Sequence, residues 1–145
     1  MNQIFVDTSG WANLFIATES YHNQAKQWFL QSRQQNDQLI TSNYVISELV
    51  ALFYSPLRVP RPQLFQYIEA ITTASYVTVI HIDLTIHDQA WQLLKNRPDK
   101  NWSLDKNWSL VDATSFIIMK QWKLTLGLTT DHHFEQAGLI KILGG

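Results

Sequence analysis

The chain has 145 residues, 46% hydrophobic and 16% charged, which is enough for one domain with a full core and far from the balance of disordered chains. It contains no cysteine, which excludes disulfides, thiolate metal sites and cysteine nucleophiles. A net charge of −1 lacks the bulk basic footprint of a non-specific nucleic-acid binder. Any nucleic-acid contact would therefore run through metal ions bridging carboxylates to phosphate, helped by a local patch such as Arg58, Arg61, Lys95 and Arg97.

Gln3-Ile4-Phe5-Val6 is a short apolar run and reads as a buried parallel strand ending at Asp7. Thr8-Ser9-Gly10 turns the chain into a helix carrying Trp11, Leu14 and Phe15, and His22 to Ser32 fits a second helix with Ala25, Trp28 and Phe29 at helical spacing. Leu39-Ile40-Thr41 is a second strand. Ser42 or Asn43 caps a strongly apolar helix from Tyr44 to about Tyr54, which Ser55-Pro56 ends. Pro60 and Pro62 bracket the start of a helix reaching Ala74, and Val77 to Ile80 is a β-branched third strand. Leu84 to Lys95 and Ser109 to Trp122 read as helices around a long polar loop from Asn96 to Trp108. Thr125 to Thr130 is a strand, Phe134 to Ala137 a helical turn, and Ile140-Lys141-Ile142 a last strand.

Short apolar strands alternating with helices predict an α/β class domain with a central, mostly parallel sheet covered on both faces. No domain boundary interrupts the pattern, so residues 1–145 read as a single domain. Met1–Thr8 runs directly into a strand and a turn rather than a basic-then-apolar leader, and no apolar run approaches the ~18 residues a bilayer span needs. The expectation is a soluble cytoplasmic protein without membrane contact.

One internal repeat stands out. Residues 99–104 and 105–110 both read Asp-Lys-Asn-Trp-Ser-Leu, far shorter than a solenoid unit, and we read the pair as a local duplication that lengthens one loop.

Four carboxylates attract attention by their joint placement. Asp7 and Asp131 follow strands, and either could instead cap a helix or an Asx turn. Glu48 lies inside the apolar stretch from Tyr44 to Leu52, where it either faces solvent or is held at a site, because buried and unpaired it would be expensive. Asp112 stands three residues after Ser109, the spacing of a capping box, which need not exclude metal binding. In an open α/β sheet these positions converge beyond the carboxyl ends of the strands. Crowded like charges repel, a divalent cation removes that cost, and oxygen donors suit Mg²⁺ or Mn²⁺ rather than zinc. Such an ion can activate water and stabilise charge on a phosphoryl group.

Phe5-Val6-Asp7-Thr8-Ser9, Ser47-Glu48-Leu49, the run from Ser109 to Phe116 and the run from Thr130 to Gly138 resemble, in order, the successive motifs of the PIN-domain family over essentially the whole chain. The resemblance implies a three-layer α/β/α domain and a metal-dependent endoribonuclease, commonly the toxin of a VapBC-type (type II) toxin–antitoxin pair. It implies that Asp7, Glu48, Asp112 and Asp131 form an acidic quartet around Mg²⁺ or Mn²⁺, with Thr8 or Ser9 supporting the first carboxylate. The implied partners are an RNA substrate, a small cognate antitoxin protein and a second copy of the chain in a homodimer. The doubled Asp-Lys-Asn-Trp-Ser-Leu departs from the family pattern and leaves open a catalytically weakened protein that acts by binding RNA or a partner.

The remaining residues carry less. His132 and His133 read as exposed loop histidines, although a metal or proton-shuttle role is conceivable; His22, His81 and His87 show no ligand spacing. Trp28, Trp91 and Trp122 sit at helix-core spacing, whereas Trp102 and Trp108 are better placed to stack on bases. The helix after Tyr44 is apolar nearly all round, with Val45, Leu49, Leu52 and Phe53 on one face and Ile46, Val50 and Tyr54 on another; either a partner or a crowded monomer core would cover it. Aspartyl-phosphate chemistry, the rival enzyme class, needs further acidic residues beside the first-strand Asp, and Asp7 is followed by Thr8-Ser9 instead.

Overall fold

The computed structural model describes residues 2–97 and 107–145. Five strands, β1 Gln3–Val6, β2 Gln38–Ser42, β3 Val77–Ile80, β4 Leu126–Leu128 and β5 Ile140–Lys141, form one parallel sheet in the order β3-β2-β1-β4-β5. Between them run α1 Thr8–Phe15, α2 His22–Gln34, α3 Asn43–Tyr54, α4 Arg61–Thr73, α5 Leu84–Asn96, α6 Leu110–Gln121 and α7 His133–Gln136. Ile4, Phe5 and Val6 of β1 are all buried although successive side chains point to opposite faces, and so are Leu39, Ile40 and Thr41 of β2. Both faces of the sheet are therefore covered, which is the expected three-layer α/β/α arrangement, with the strands at Gln3, Leu39, Val77 and Leu126 side by side.

The chain builds outward from β1 to β2 and β3, then returns to add β4 and β5 on the other side. The sheet order thus reverses between β1 and β4, and the crevice beyond the carboxyl ends of strands at such a reversal is where ligands bind in open α/β sheets. Asp7 follows β1 and Asp131 lies three residues beyond β4, so two of the four expected carboxylates stand at that crevice.

Gly10 explains why α1 approaches the crevice so closely. A Cβ at this position would overlap the backbone carbonyl oxygen of Leu128 and come within 3.1 Å of Val6 Cγ1. Without one, the first turn of α1 lies directly on β4, and Ser9 meets Thr129 and Thr130. The same contact accounts for β4 being shorter than the strand expected from Thr125 to Thr130. Thr130 donates its amide to Ser9 Oγ at 3.0 Å, and Asp131 donates its own to Thr129 Oγ1 at 3.0 Å, so neither amide continues the ladder.

Helix α3 grows out of β2 with no loop, its start fixed by Ser42, whose hydroxyl accepts from the Val45 amide at 3.1 Å. Val45, Leu49 and Phe53 are wholly buried, Ile46, Val50 and Leu52 partly so, and Tyr54 is half exposed, so most of this apolar helix is covered within the chain itself. Trp91 and Trp122, read from spacing as core residues, are 50% and 41% exposed. Helical spacing marks a face, and it does not say whether another element lies over that face. Most of the tandem repeat, residues 99–106, lies outside the described residues, and Trp102 with it. Its flanks are joined: the Arg97 guanidinium stacks 3.8 Å over the Trp108 ring, and Trp108 Nε1 and Arg97 Nη2 both donate to Gln136 Oε1. Trp108 also packs edge-on against Phe116, at 4.8 Å between centroids.

Candidate active site

Asp7, Glu48, Asp112 and Asp131 all line one open cleft of about 480 Å³, together with Thr8, Ser9, Leu52, Asn107, Ser109, Thr130 and His133. The four residues singled out from sequence are thus brought together, each by a different element.

Asp7 takes the N-cap position of α1 with extended backbone, yet its side chain makes no capping hydrogen bond. Its Oδ2 instead accepts from Thr129 Oγ1 at 3.0 Å, and its Oδ1 is buried without a hydrogen-bond partner. Because the single proton of the Thr129 hydroxyl is used on Asp7, the 3.0 Å contact between Ser9 and Thr129 has Ser9 as donor. Ser9 in turn accepts from the Thr130 amide. A directed chain of hydroxyls therefore runs from the Thr130 amide through Ser9 and Thr129 to Asp7, every member with its proton assigned.

Glu48 stands in the second turn of α3, and its Oε1 accepts a hydrogen bond from Thr8 Oγ1. Asp112 sits at the third position of α6 in a complete capping box. The Ser109 hydroxyl accepts from the Asp112 amide, and Asp112 Oδ2 accepts from the Ser109 amide, both at 3.0 Å. Asp131 Oδ1 accepts from the His133 amide at 2.9 Å, an Asx-type turn that starts α7. The capping role weighed from sequence is thus real for Asp112, replaced by an Asx-type turn for Asp131, whose helix has His132 at its N-cap, and absent for the Asp7 side chain.

His133 departs from the expectation of an exposed loop residue. Its side chain is only 12% exposed, and Nδ1 lies 3.1 Å from Asp112 Oδ2 and 3.3 Å from Asp131 Oδ1. Carboxylates only accept, so Nδ1 carries the proton that joins the two. His132 is exposed as expected. Sequence reasoning also passed over Thr129, which ties Asp7 to the Asp131 backbone. The sole signal was the placement of both residues beside the fourth acidic motif.

The charges do not sit easily together. Burial first, and the Asp112 charge second, push the Asp7 carboxyl up to about 7. The Thr8 amide and Thr129 hydroxyl pull the other way, and Glu48 adds to the rise. Burial also raises Glu48, against the Thr8 hydrogen bond and with the charges of Asp112 and Asp131. A set of oxygen donors this crowded, one of them a buried carboxylate oxygen without a partner, fits a hard divalent cation: the cation offsets the repulsion and satisfies the orphaned oxygen.

The parallel five-stranded sheet, with four carboxylates beyond its carboxyl edge, agrees with the family resemblance of the sequence. The family model described as "PIN domain" matches residues 4–139, and the chain belongs to that family. Among characterised relatives it is 30% identical over 139 residues to the 23S rRNA-specific endonuclease VapC20 of Mycobacterium tuberculosis, in both strain CDC 1551 and strain H37Rv, across 96% of this chain and 97% of the relative. The crystal structure of Mycobacterium tuberculosis VapC20, a Sarcin-Ricin loop cleaving toxin, superposes with a TM-score of 0.79 at 29% identity, over 95% of this chain and 97% of that one.

Proposed function

We propose that this chain is a metal-dependent endoribonuclease, the toxin of a type II toxin–antitoxin pair, folded as a single domain over residues 1–145. What chiefly supports this is the convergence of Asp7, Glu48, Asp112 and Asp131 on one cleft, with a buried oxygen of Asp7 lacking any partner. These four carboxylates are the residues that would hold Mg²⁺ or Mn²⁺. Such an ion, when bound, supplies electrostatic stabilisation of phosphoryl oxygens and an acidified water.

The chain's own residues prepare the site. Thr129 and the Ser9 hydroxyl behind it hold Asp7 in one rotamer, Thr8 fixes Glu48, and the Ser109 amide with the His133 ring fixes Asp112. Four carboxylates oriented before substrate arrives need no reorganisation when charge develops on a phosphate. A net charge of −1 leaves phosphate recognition to the cation and to local arginines, so affinity for RNA depends on the ion.

The substrate class inferred from the VapC20 relatives is ribosomal RNA. A small cognate antitoxin, a homodimeric state and a cytoplasmic setting belong to the same reading. None of the described helices is long and apolar enough to cross a membrane. The alternative, a PIN-fold protein that binds without cleaving, predicts RNA binding with no product.

Incubating purified protein with ribosomal RNA in chelator, Mg²⁺ and Mn²⁺ separates the two. Discrete fragments with metal, none in chelator and none with Asp7→Asn are expected. Metal-independent cleavage, or full activity in Asp7→Asn, would sink the assignment.

A further inference from the structure

The rim of the cleft carries a donor set that the four carboxylates do not account for. His132 and His133 are adjacent at the start of α7, and one donor atom from each of Asp131, His132 and His133 lies within 4.8 Å of the others. Asp112 Oδ2 and His133 Nδ1 are 3.1 Å apart, His133 Nδ1 and Asp131 Oδ1 3.3 Å, and Asp131 Oδ1 and His132 Nδ1 3.9 Å. A tetrahedral ion with bonds of 2.0–2.1 Å has donor–donor edges of roughly 3.3–3.4 Å. The Asp131–His133 separation already matches, the Asp112–His133 separation is about 0.2 Å shorter, and the Asp131–His132 separation is about half an ångström longer, on a side chain that is 59% exposed and rests against the His133 ring. The backbone beneath is fixed, because Asp131 Oδ1 holds the His133 amide and Phe134 is wholly buried.

Two imidazole nitrogens and two carboxylate oxygens are not a magnesium set. Mg²⁺ prefers oxygen donors in near-octahedral geometry, whereas this mixture suits borderline ions, Zn²⁺ above all. We propose that Asp112, Asp131, His132 and His133 form a second, tetrahedral site for Zn²⁺ that shares two carboxylates with the cleft. When the ion enters, His133 Nδ1 gives up its proton while Nε2 carries the one the neutral ring keeps, so the ring binds as a neutral imidazole through Nδ1. Zn²⁺ held there removes Asp112 and Asp131 from the hard-ion site, so it acts as an inhibitor of Mg²⁺-dependent cleavage. The proposal rests on the ribonuclease reading only for that inhibitory consequence.

The test uses the full chain, stripped of metal, and His132→Ala, a change to an exposed side chain outside the site's hydrogen-bond network. ZnCl₂ is titrated calorimetrically, and Co²⁺ is added separately to read tetrahedral coordination from its visible absorption. Wild type is expected to bind one Zn²⁺ at least about tenfold more tightly than the variant, since even outer-shell changes at metal sites lose that much. Co²⁺ should give intense tetrahedral bands in wild type alone. Cleavage in Mg²⁺ should be unchanged by His132→Ala, while its sensitivity to Zn²⁺ falls by the same factor. Equal Zn²⁺ affinity in the two proteins, or octahedral Co²⁺ in wild type, overturns the site. The titration decides this whether or not the protein cleaves RNA, so failure of the zinc site and failure of the ribonuclease assignment are told apart.

Discussion

Asp7→Asn should do two things at once: abolish cleavage and stabilise the metal-free fold at alkaline pH. The residue is 4% exposed and its carboxyl is raised from 3.8 to about 7, first by burial and then by Asp112. Between those values the folded protein keeps a proton that the unfolded chain has lost. Stability from this group is therefore complete below about pH 4, declines as pH rises, and is fully lost above about pH 7. A rise of roughly three pKa units corresponds to about 4 kcal/mol at 1.36 kcal/mol per unit. Asn resembles the protonated acid and does not titrate, so the variant should equal wild type near pH 4 and exceed it by up to about 4 kcal/mol at pH 8. Urea unfolding in chelator, at half-unit steps from pH 4 to 8, measures the difference while cancelling all other titrations. Saturating Mn²⁺ should then stabilise wild type alone, by about 2.7 kcal/mol at a hundred times its Kd. Identical pH dependence in the two proteins, or a variant less stable at pH 8, would refute the account of Asp7 as a buried carboxylate strained by its neighbours.

Three further outcomes follow from the same geometry. Asp112→Asn should weaken calorimetric Mn²⁺ binding at least about tenfold, and equal binding would remove Asp112 from the ligand set. Gly10→Ala should lose roughly 1–3 kcal/mol in urea unfolding, because its methyl collides with the Leu128 carbonyl, and should lower kcat by moving Ser9 off Thr129; an unaffected variant would show that α1 can shift freely. Deleting residues 99–104 should leave the melting temperature nearly unchanged, since each doubling of loop length costs only about 0.6 kcal/mol, with cleavage equal or higher. A deletion protein that does not fold, or folds without cleaving, would show the extra copy to be required.

Much of this is legible in the sequence, and the reasons are local. Runs such as Ile4-Phe5-Val6 and Leu39-Ile40-Thr41 are too apolar for anything but strands buried on both faces, and once strands alternate with helices the carboxyl edge is fixed. That sufficed to gather Asp7, Glu48, Asp112 and Asp131 at one cleft. The misses share a different cause. His133 looked like a loop residue because one of its partners, Asp112, comes from another element twenty-one positions away. Thr129 looked like the end of a strand, and its contact with Asp7 spans 122 positions. Trp91 kept the spacing of a core residue although nothing covers it fully. Periodicity reports what one element would like to bury, whereas hydrogen bonds between distant elements follow from packing that no local pattern encodes.

The capping box at Ser109 also determines where this gene can change length. In the second copy of the repeat the serine is followed three places later by Asp112, whereas Ser103 in the first copy is followed by Lys106, which offers no acceptor to its cap. Of the two copies, only the second carries the full capping-box spacing. Inserting a residue between Ser109 and Asp112 would swing the carboxylate about 100° around the helix and out of the cleft. Trp108, just ahead of the cap, is held by the Arg97 guanidinium over its ring and by Gln136 Oε1, which anchors the chain where it enters Ser109. Changes of length are accordingly expected to be borne better ahead of Trp108 than between Ser109 and Asp112.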